Sequence, residues 1–212
     1  MTPLETHHEN TANQIIKHLK QRNMEGYYCK SAKEAQELVS SLIAPGSTVT
    51  FGGSMTLSET GILSHLQGQE NLTILDRSQA KSPEEVQEIY RSAFACDTYL
   101  MSSNAITRDG QLVNIDGNGN RVAALIYGPK QVLVIAGMNK ICMSTEEALL
   151  RASNTAAPAN CLRLERKTPC ASTGCCADCQ SPDCICAQTV ITRRSQIPGR
   201  IKVILVEGNW GY

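Results

Sequence analysis

The feature that most constrains this chain is an unbroken apolar run, Val-Leu-Val-Ile-Ala at residues 132–136. A run of this length without polar alternation is typical of a strand whose two faces are both covered. Such strands occur in parallel sheets, whose members are connected by helical crossovers. The run therefore predicts an α/β protein in which helices pack on both sides of a sheet.

The rest of the chain alternates strand-like and helix-like segments, as that class requires. Further strands are predicted at residues 47–51, 72–75, 98–101 and 201–206. Helices are predicted at residues 9–22, 31–42, 82–94, 122–126 and 144–156, and after the glycine pair at residues 52–53. The helix at residues 82–94 is expected to bury a stripe formed by Val86, Ile89, Tyr90 and Phe94.

A turn signal adds antiparallel pairing to this pattern. Asp109 and Gly110 lie between the apolar segments 105–107 and 111–113, an arrangement that predicts a hairpin. We therefore expect a layered α/β fold with a mixed or parallel sheet flanked by helices. The length of 212 residues suits a single domain, residues 1–212, in which residues 161–200 form an irregular segment before the last strand.

Composition excludes several classes of function. Twenty basic and twenty acidic residues cancel, so the positive excess of a nucleic-acid-binding protein is missing. The first twenty residues lack the apolar core of a secretion signal, and no stretch approaches a membrane span. We expect a cytoplasmic protein that binds neither nucleic acid nor membrane, and the sequence leaves self-association into a homo-oligomer open.

A first candidate ligand site follows the strand at residues 47–51. Gly52 and Gly53 allow a ligand to approach the backbone, and the helix that follows begins with the hydroxyl side chains of Ser54 and Thr56. A phosphate or carboxylate would suit this turn, although a glycine turn needed only for helix packing explains it equally well. Glu59 is a candidate base or nucleophile, against the alternative of an exposed acid that complements the helix dipole.

A second candidate group is a loop rich in amide and carboxylate side chains. It departs from calcium-loop and dinucleotide-binding motifs at the positions that define them. It ends at Arg121, whose guanidinium suits a bidentate contact with a carboxylate or phosphate. The candidate ligand-binding residues here are Asn104, Thr107, Asn114, Asp116, Gly117, Gly119, Asn120 and Arg121.

The third group is a crowd of cysteines. The chain has ten, and six lie between residues 170 and 186. Cys176 and Cys179 have the spacing at which two thiolates hold one tetrahedral metal, and Cys170 with Cys186 or Cys184 would complete four ligands. Zinc and an iron–sulfur cluster both suit such ligands, and a redox-active dithiol is the alternative.

Together these motifs resemble the LUD-domain family. The resemblance rests on the segments 52–61, 104–123 and 128–129, and the segment 169–186 is similar to a short, cysteine-bearing branch of that family. It implies a fold of the NagB/RpiA/CoA-transferase type with a ligand pocket at the carboxyl ends of the strands. It also implies that Cys170, Cys176, Cys179 and Cys186 are the metal ligands.

The resemblance further implies a component of an iron–sulfur system that oxidises L-lactate to pyruvate, with partner subunits that supply the electron-transfer chain. Whether such a chain is itself an oxidoreductase subunit with activity is left open. Two alternatives remain: a stand-alone enzyme of the sugar-phosphate isomerase or CoA-transferase fold group that uses Glu59, and a non-enzymatic metal- or redox-sensing module.

Overall fold

A computed structural model of the protein describes residues 2–212; Met1, which the single-domain prediction includes, lies outside them. The helices are α1 Pro3–Gln21, α2 Ala32–Leu42, α3 Met55–Glu59, α4 Ile62–Gln67, α5 Pro83–Ser92, α6 Asn120–Ile126, α7 Thr145–Arg151, α8 Ala157–Arg163 and α9 Pro169–Thr173. The strands are β1 Glu25–Cys29, β2 Thr48–Phe51, β3 Thr73–Leu75, β4 Thr98–Met101, β5 Ala105–Thr107, β6 Leu112–Asp116, β7 Gln131–Gly137, β8 Ile141–Cys142, β9 Gln188–Thr192 and β10 Ile201–Val206.

The main sheet contains six of the described strands in the order β1-β10-β7-β4-β2-β3, and all its pairs are parallel. The apolar run predicted to be covered on both faces is β7, which is buried from Val132 onward. Successive side chains of a strand point to opposite faces. Val132 and Val134 therefore join the core cluster on one face, and Leu133 and Ile135 join the cluster on the other.

Helices cover both faces, as expected. On one face Ala12, Ile15 and Leu19 of α1 are fully buried. On the other face Ala35 and Val39 of α2 pack with the apolar side chains of α4. The predicted α/β class, with a sheet flanked by helices, is confirmed.

The predicted hairpin is also present, but it belongs to a second sheet. Strands β5 and β6 pair antiparallel, with Ala105 opposite Val113, and Gly110 adopts a φ of +85° in the turn. The second sheet has the order β8-β5-β6-β9 among the described strands. Because β5 begins only four residues after β4 ends, the chain leaves the main sheet at its carboxyl edge and starts the second sheet there.

Three local predictions need correction. The first helix begins at Pro3 rather than near residue 9, because Thr2 and Glu5 form a capping box there. The helix predicted at residues 144–156 passes through a π-helical turn, Ala152–Ala156, and continues as α8. The stripe on α5 is only half-buried and Phe94 is 41% exposed, since α5 follows β3 at the edge of the main sheet.

Residues 161–200 are less irregular than predicted. They include the end of α8, the short helix α9 and the strand β9, which pairs with β6 along five residues. Much of the segment between α9 and β9 has no regular secondary structure. Within residues 2–212, no helix combines the length and apolar character needed to cross a membrane.

Candidate functional site

The main cleft lies at the carboxyl ends of the parallel strands, where ligands of open α/β sheets commonly bind. The segment after β2 supplies Gly53 and Ser54, the segment after β4 supplies Ser102 and Asn104, and the turn after β7 supplies Lys140. The cleft thus brings together the two groups of polar residues that are separate in the sequence.

Two connected cavities make up this cleft. The smaller has a volume of about 70 Å³ and the larger about 260 Å³. Gly53, Asn104 and Arg163 line both cavities, so the larger one leads into the smaller. The predicted residues Ser54 and Thr56 line the smaller cavity, and the predicted Asp116, Gly117 and Asn120 line the larger.

Both glycines of the first turn lie where a side chain would collide. A Cβ at Gly52 would lie 3.0 Å from the hydroxyl of Tyr99 and 3.1 Å from Cδ of Arg121. A Cβ at Gly53 would meet the guanidinium of Arg77. The glycine pair therefore leaves room for two arginine side chains at the cleft, and ligand contact at this turn stays a prediction.

Arg121 holds the cleft together. Its Nη1 donates to the carbonyl of Ser102 and to Asn114 Oδ1, and its Nη2 donates to Asn104 Oδ1 and to the carbonyl of Ile115 at 2.8 Å. Its Nε lies 3.4 Å from Asp116 Oδ2. All five N–H groups of a guanidinium thus face protein acceptors. Direct contact between Arg121 and a ligand stays a prediction, and it would require one of these contacts to be exchanged.

The charge of Arg121 is buried at this position. Burial lowers the pKa of Arg121, and the nearby Asp116 opposes that effect. A buried charge is tolerated when it is paired and fully hydrogen-bonded. The amides of Asn104 and Asn114 provide that environment and are fixed in return, so these two predicted residues position Arg121.

Several buried polar atoms at the cleft have no partner. Among residues 2–212, the side-chain atoms in this condition include Asn114 Nδ2 and Asp116 Oδ2. The Asp116 contact with Arg121 is too long for a hydrogen bond, so it neutralises charge without satisfying the oxygen. Such atoms are rare in folded proteins and mark places where a ligand or water binds.

The glycines of the second loop have separate roles. Asp116 Oδ1 accepts a hydrogen bond from the backbone N–H of Gly119, which has a φ of +77° and precedes α6. A Cβ at Gly117 would lie 3.3 Å from Cα of Ile185. Ile185 lines the larger cavity and lies between Cys184 and Cys186 in the chain, so the cysteine-rich segment forms part of the cleft wall.

Five predicted residues line neither cavity: Gly52, Glu59, Thr107, Asn114 and Gly119. Thr107 is buried in the hairpin, where it donates to the carboxylate of Asp109 and accepts from the N–H of Gln111. Glu59 is exposed at the end of α3 and accepts a hydrogen bond of 2.6 Å from the N–H of Gly211. The structure thus gives Glu59 a contact with the C-terminal segment, and its catalytic role stays a prediction.

Most of the cationic side chains of the cleft are not among the residues predicted from the sequence. Arg77 donates to the hydroxyl of Tyr90 and lies 5.6 Å from the centre of that ring, and Arg163 donates to Asn160 Oδ1. Lys140 is only 3% exposed. Burial lowers the pKa of Lys140 to about 7, and the charges of Arg151 and Arg121 act in the same direction. Its place directly after an unbroken buried strand was the available signal.

The cysteine-rich segment forms a second concave surface, which we call the cysteine depression. It has a volume of about 260 Å³ and is lined by Cys161, Cys170, Cys176, Cys179, Cys184 and Cys186. These include all four predicted metal ligands and Cys161, which the sequence had left among the scattered cysteines. Cys175 is exposed and contacts Asn154 instead.

The sulfur atoms of the cysteine depression are not gathered around one point. Cys161 and Cys170 have their Sγ atoms 3.8 Å apart. In the described part of the chain, no three histidine, cysteine or acidic side chains converge as a metal site would require. Burial raises the pKa of Cys186, and the neighbouring Cys184 adds to that effect. Thiols are suitable metal ligands and six of them line one depression. The ligand set itself stays a prediction.

Comparison with known proteins agrees with this architecture. The LUD domain family matches residues 12–206. A crystal structure of a DUF162 family protein from Deinococcus radiodurans is similar over 95% of this chain and 98% of its own, with 11% identity and a TM-score of 0.54. No curated protein matches the sequence.

Two further solved structures resemble about half of the chain. Translation initiation factor eIF-2B from Pyrococcus horikoshii has 13% identity and a TM-score of 0.40, covering 57% of this chain and 51% of its own. Ribose 5-phosphate isomerase from Plasmodium falciparum has 11% identity and a TM-score of 0.33, covering 53% and 52%. The family match spans nearly the whole chain, and the protein therefore belongs to the LUD-domain family, which is associated with lactate utilisation.

Proposed function

We propose that the cleft binds a small carboxylate- or phosphate-bearing ligand, and that the protein does so as a component of an iron–sulfur system oxidising L-lactate to pyruvate. The observation that carries the first part is the charge of the cleft. Among the described residues that line its two cavities, the only acidic one is Asp116, and five are basic. The basic ones are Arg77, Arg121, Lys140, Arg163 and Arg166.

The arrangement of these cations supports an anion of modest size. Lys140 is buried and the Arg121 side chain is only 14% exposed, whereas Arg163 and Arg166 are exposed at the mouth of the cleft. The exposed arginines have few competing partners: Arg163 donates to Asn160 and contacts the phenol of Tyr212, and Arg166 lies 3.9 Å from Asp183. Both can turn toward a ligand without breaking a buried network.

The system-level part of the proposal rests on the family's association with lactate utilisation. Lactate and pyruvate are both small carboxylates, which is the ligand class that the cleft's charge favours. The alternative of a stand-alone enzyme that uses Glu59 has less support, because that carboxylate is engaged by the N–H of Gly211 and does not line either cavity.

Calorimetry with L-lactate, pyruvate and inorganic phosphate tests the ligand class directly. We expect at least one of the three to bind, and we expect Arg163→Gln to weaken binding by about tenfold, the usual contribution of a charge-assisted hydrogen bond. Arg194→Gln is the matched control, since Arg194 is exposed and lines neither cavity. If none of the three binds, or if both variants bind equally, the proposal fails.

The metal proposal concerns the cysteine depression. We propose that Cys170, Cys176, Cys179 and Cys186 bind an iron–sulfur cluster or zinc, since six cysteines line one concave surface of the right chemical character. A bound metal would supply either electron transfer or a structural cross-link, and it would have to draw the four sulfurs together.

Metal analysis and a visible spectrum of protein purified without oxygen test this assignment. Iron, labile sulfide and a visible absorption band that disappear in Cys176→Ala/Cys179→Ala would support a redox role. Stoichiometric zinc lost in the same variant would make the cysteine depression structural. Cys175→Ala is the matched control, because Cys175 does not line the depression; metal that is absent from the wild type, or retained in the double variant, would refute the ligand set.

A further inference from the structure

Lys140 occupies an unusual position in the cleft. It ends the short 3₁₀ turn Met138–Lys140 that follows the central strand β7, and its side chain is 3% exposed. Among the described residues, none offers a carboxylate within ion-pairing distance of its amine. A lysine buried in this way does not act as an ordinary surface charge.

The hydrogen bonds of Lys140 suit a neutral amine. Its Nζ lies 2.8 Å from Thr56 Oγ1 and 3.0 Å from Ser102 Oγ. The hydroxyl of Thr56 donates to the carbonyl of Trp210, and the hydroxyl of Ser102 donates to the carbonyl of Ser103. Both oxygens are therefore left to accept from Nζ.

A neutral amine has two N–H groups and one lone pair, whereas an ammonium has three N–H groups. Two acceptors match the neutral form and leave the lone pair free. The electrostatic surroundings act in the same direction, because burial and the charges of Arg151 and Arg121 lower the pKa of Lys140 to about 7, against the opposing charge of Glu59. A large fraction of Lys140 is then an uncharged nucleophile near neutral pH.

The surroundings of Nζ also offer room and a proton donor. Lys140 lines the smaller cavity together with Tyr212, whose phenol oxygen contacts the guanidinium of Arg163 and whose O–H is left to donate. Burial raises the pKa of Tyr212, so its phenol keeps its proton at neutral pH. Arg163 lines the same cavity and the larger one beyond it, so an anionic group held by Arg163 can be attached to an atom close to Lys140.

We propose that Lys140 is a catalytic nucleophile that forms a Schiff base with the carbonyl carbon of a small 2-oxo acid. The inference rests on the anion-binding function proposed for the cleft and names its substrate class. The lone pair of Nζ attacks the carbonyl carbon while the carbonyl oxygen takes a proton, for which the phenol of Tyr212 is the nearby donor. One proton of the new N–C group then passes through the Tyr212 oxygen to the new hydroxyl, and the freed nitrogen lone pair forms the C=N bond as the C–O bond breaks and water leaves. The step needs no oxidant or reductant, and it turns the bound carbonyl into an electron-withdrawing iminium.

Reductive trapping tests this step. Wild-type protein is incubated with pyruvate and sodium borohydride, and its intact mass and proteolytic peptides are measured. We expect one reduced adduct on the peptide that contains Lys140, and no adduct with L-lactate, which has no carbonyl carbon for an amine to attack. Trapping should be half-maximal near pH 7, well below the pH at which exposed lysines react.

Variants separate Lys140 from the other lysines. Lys140→Gln and Lys140→Met should abolish trapping, whereas Lys130→Gln should leave it unchanged, because Lys130 is exposed and pairs with Asp97 away from the cleft. Peptide mapping of the wild type locates the adduct even if both Lys140 variants fail to fold. An adduct spread over surface lysines, or one that persists in Lys140→Gln, would overturn the proposal.

Calorimetry on the same preparations separates this inference from the proposed function. Pyruvate that binds to the wild type without any trapped adduct would overturn the Schiff base and leave the anion cleft standing. If neither binding nor trapping occurs with pyruvate while phosphate binds, the 2-oxo acid is the wrong class and the inference fails alone. If no anion binds and nothing is trapped, both proposals fall.

Discussion

The cleft and the cysteine depression have volumes of similar size, but they are built in opposite ways. The cleft lies on the ends of parallel strands, and the guanidinium of Arg121 joins the segment after β4 to strand β6 by hydrogen bonds. The cysteine depression lies on a segment with little regular structure, and its sulfurs do not converge. Sheet-anchored sites are organised by folding itself, whereas loop-anchored sites obtain their order from what they bind.

The largest test of this contrast is Arg121→Met. Removing the guanidinium takes a hydrogen-bond donor from Asn104 Oδ1 and Asn114 Oδ1 and the neutralising charge from buried Asp116, and we expect a loss of about 3–5 kcal/mol in the free energy of unfolding. Arg163→Met is the matched control and should change stability little, because Arg163 is exposed. Urea denaturation measures both. Equal stabilities for the two variants would mean that the cleft is no better organised by folding than the cysteine depression.

A second test uses the pH dependence of stability. The folded chain binds the proton of Lys140 with a pKa of about 7, and the unfolded chain binds it with the ordinary value near 10.4. Between these values the unfolded state holds more protons, so wild-type stability relative to Lys140→Met should rise with pH, by up to about 1.4 kcal/mol per unit. Urea denaturation at pH 7, 8 and 9 checks the sign. Parallel profiles for the two proteins would contradict the burial of an uncharged amine.

A third test adds one methyl group to the cleft. Gly52→Ala would bring Cβ against Tyr99 and Arg121, and overpacking of this kind costs about 1–3 kcal/mol. Gly68→Ala is the control, since a Cβ there would lie 3.7 Å from its nearest neighbour. Thermal unfolding of both variants should separate them. A neutral Gly52→Ala would show that the cleft tolerates movement, which weakens the contrast with the cysteine depression.

The smallest effect is expected in the cysteine depression itself. In protein freed of metal, Cys176→Ala/Cys179→Ala should change the free energy of unfolding by less than about 0.5 kcal/mol, because Cys176 is exposed and Cys179 half-buried. Cys161→Ala, at a buried position, should cost about 1 kcal/mol. A large loss of unfolding free energy in the double variant without metal would show that these thiols are already ordered by the fold. The contrast between the cleft and the cysteine depression would then be wrong.

The parts of the molecule that the sequence predicts well are those governed by local rules. The apolar run of β7 and the Asp-Gly turn at residues 109–110 both appear as expected. Each depends on residues within a few positions of one another. The cleft was predicted in part, because polar residues at the ends of strands can be recognised in the sequence even though their contacts in the fold cannot.

The missed features depend on contacts between distant parts of the chain. Lys140 contacts Thr56, which is 84 positions away in the sequence. Arg163, at the end of α8, lines the same cavity as Gly53. The prediction that α5 is buried was wrong for a related reason. Helical periodicity reveals an apolar stripe but does not show whether another element covers it. Arg121 was predicted to contact a ligand because the sequence does not show that the N–H groups of Arg121 form hydrogen bonds within the fold.

Ile185 gives these two regions a common boundary. It sits between Cys184 and Cys186, and its backbone packs against Gly117 at the wall of the cleft. A change in the cysteine-rich segment that moves Ile185 also moves the wall of the cleft, and the reverse holds. The coupling free energy between two such sites is the same in both directions. A metal that changes the cleft's affinity for an anion must therefore be held more or less tightly, by the same factor, when that anion is bound.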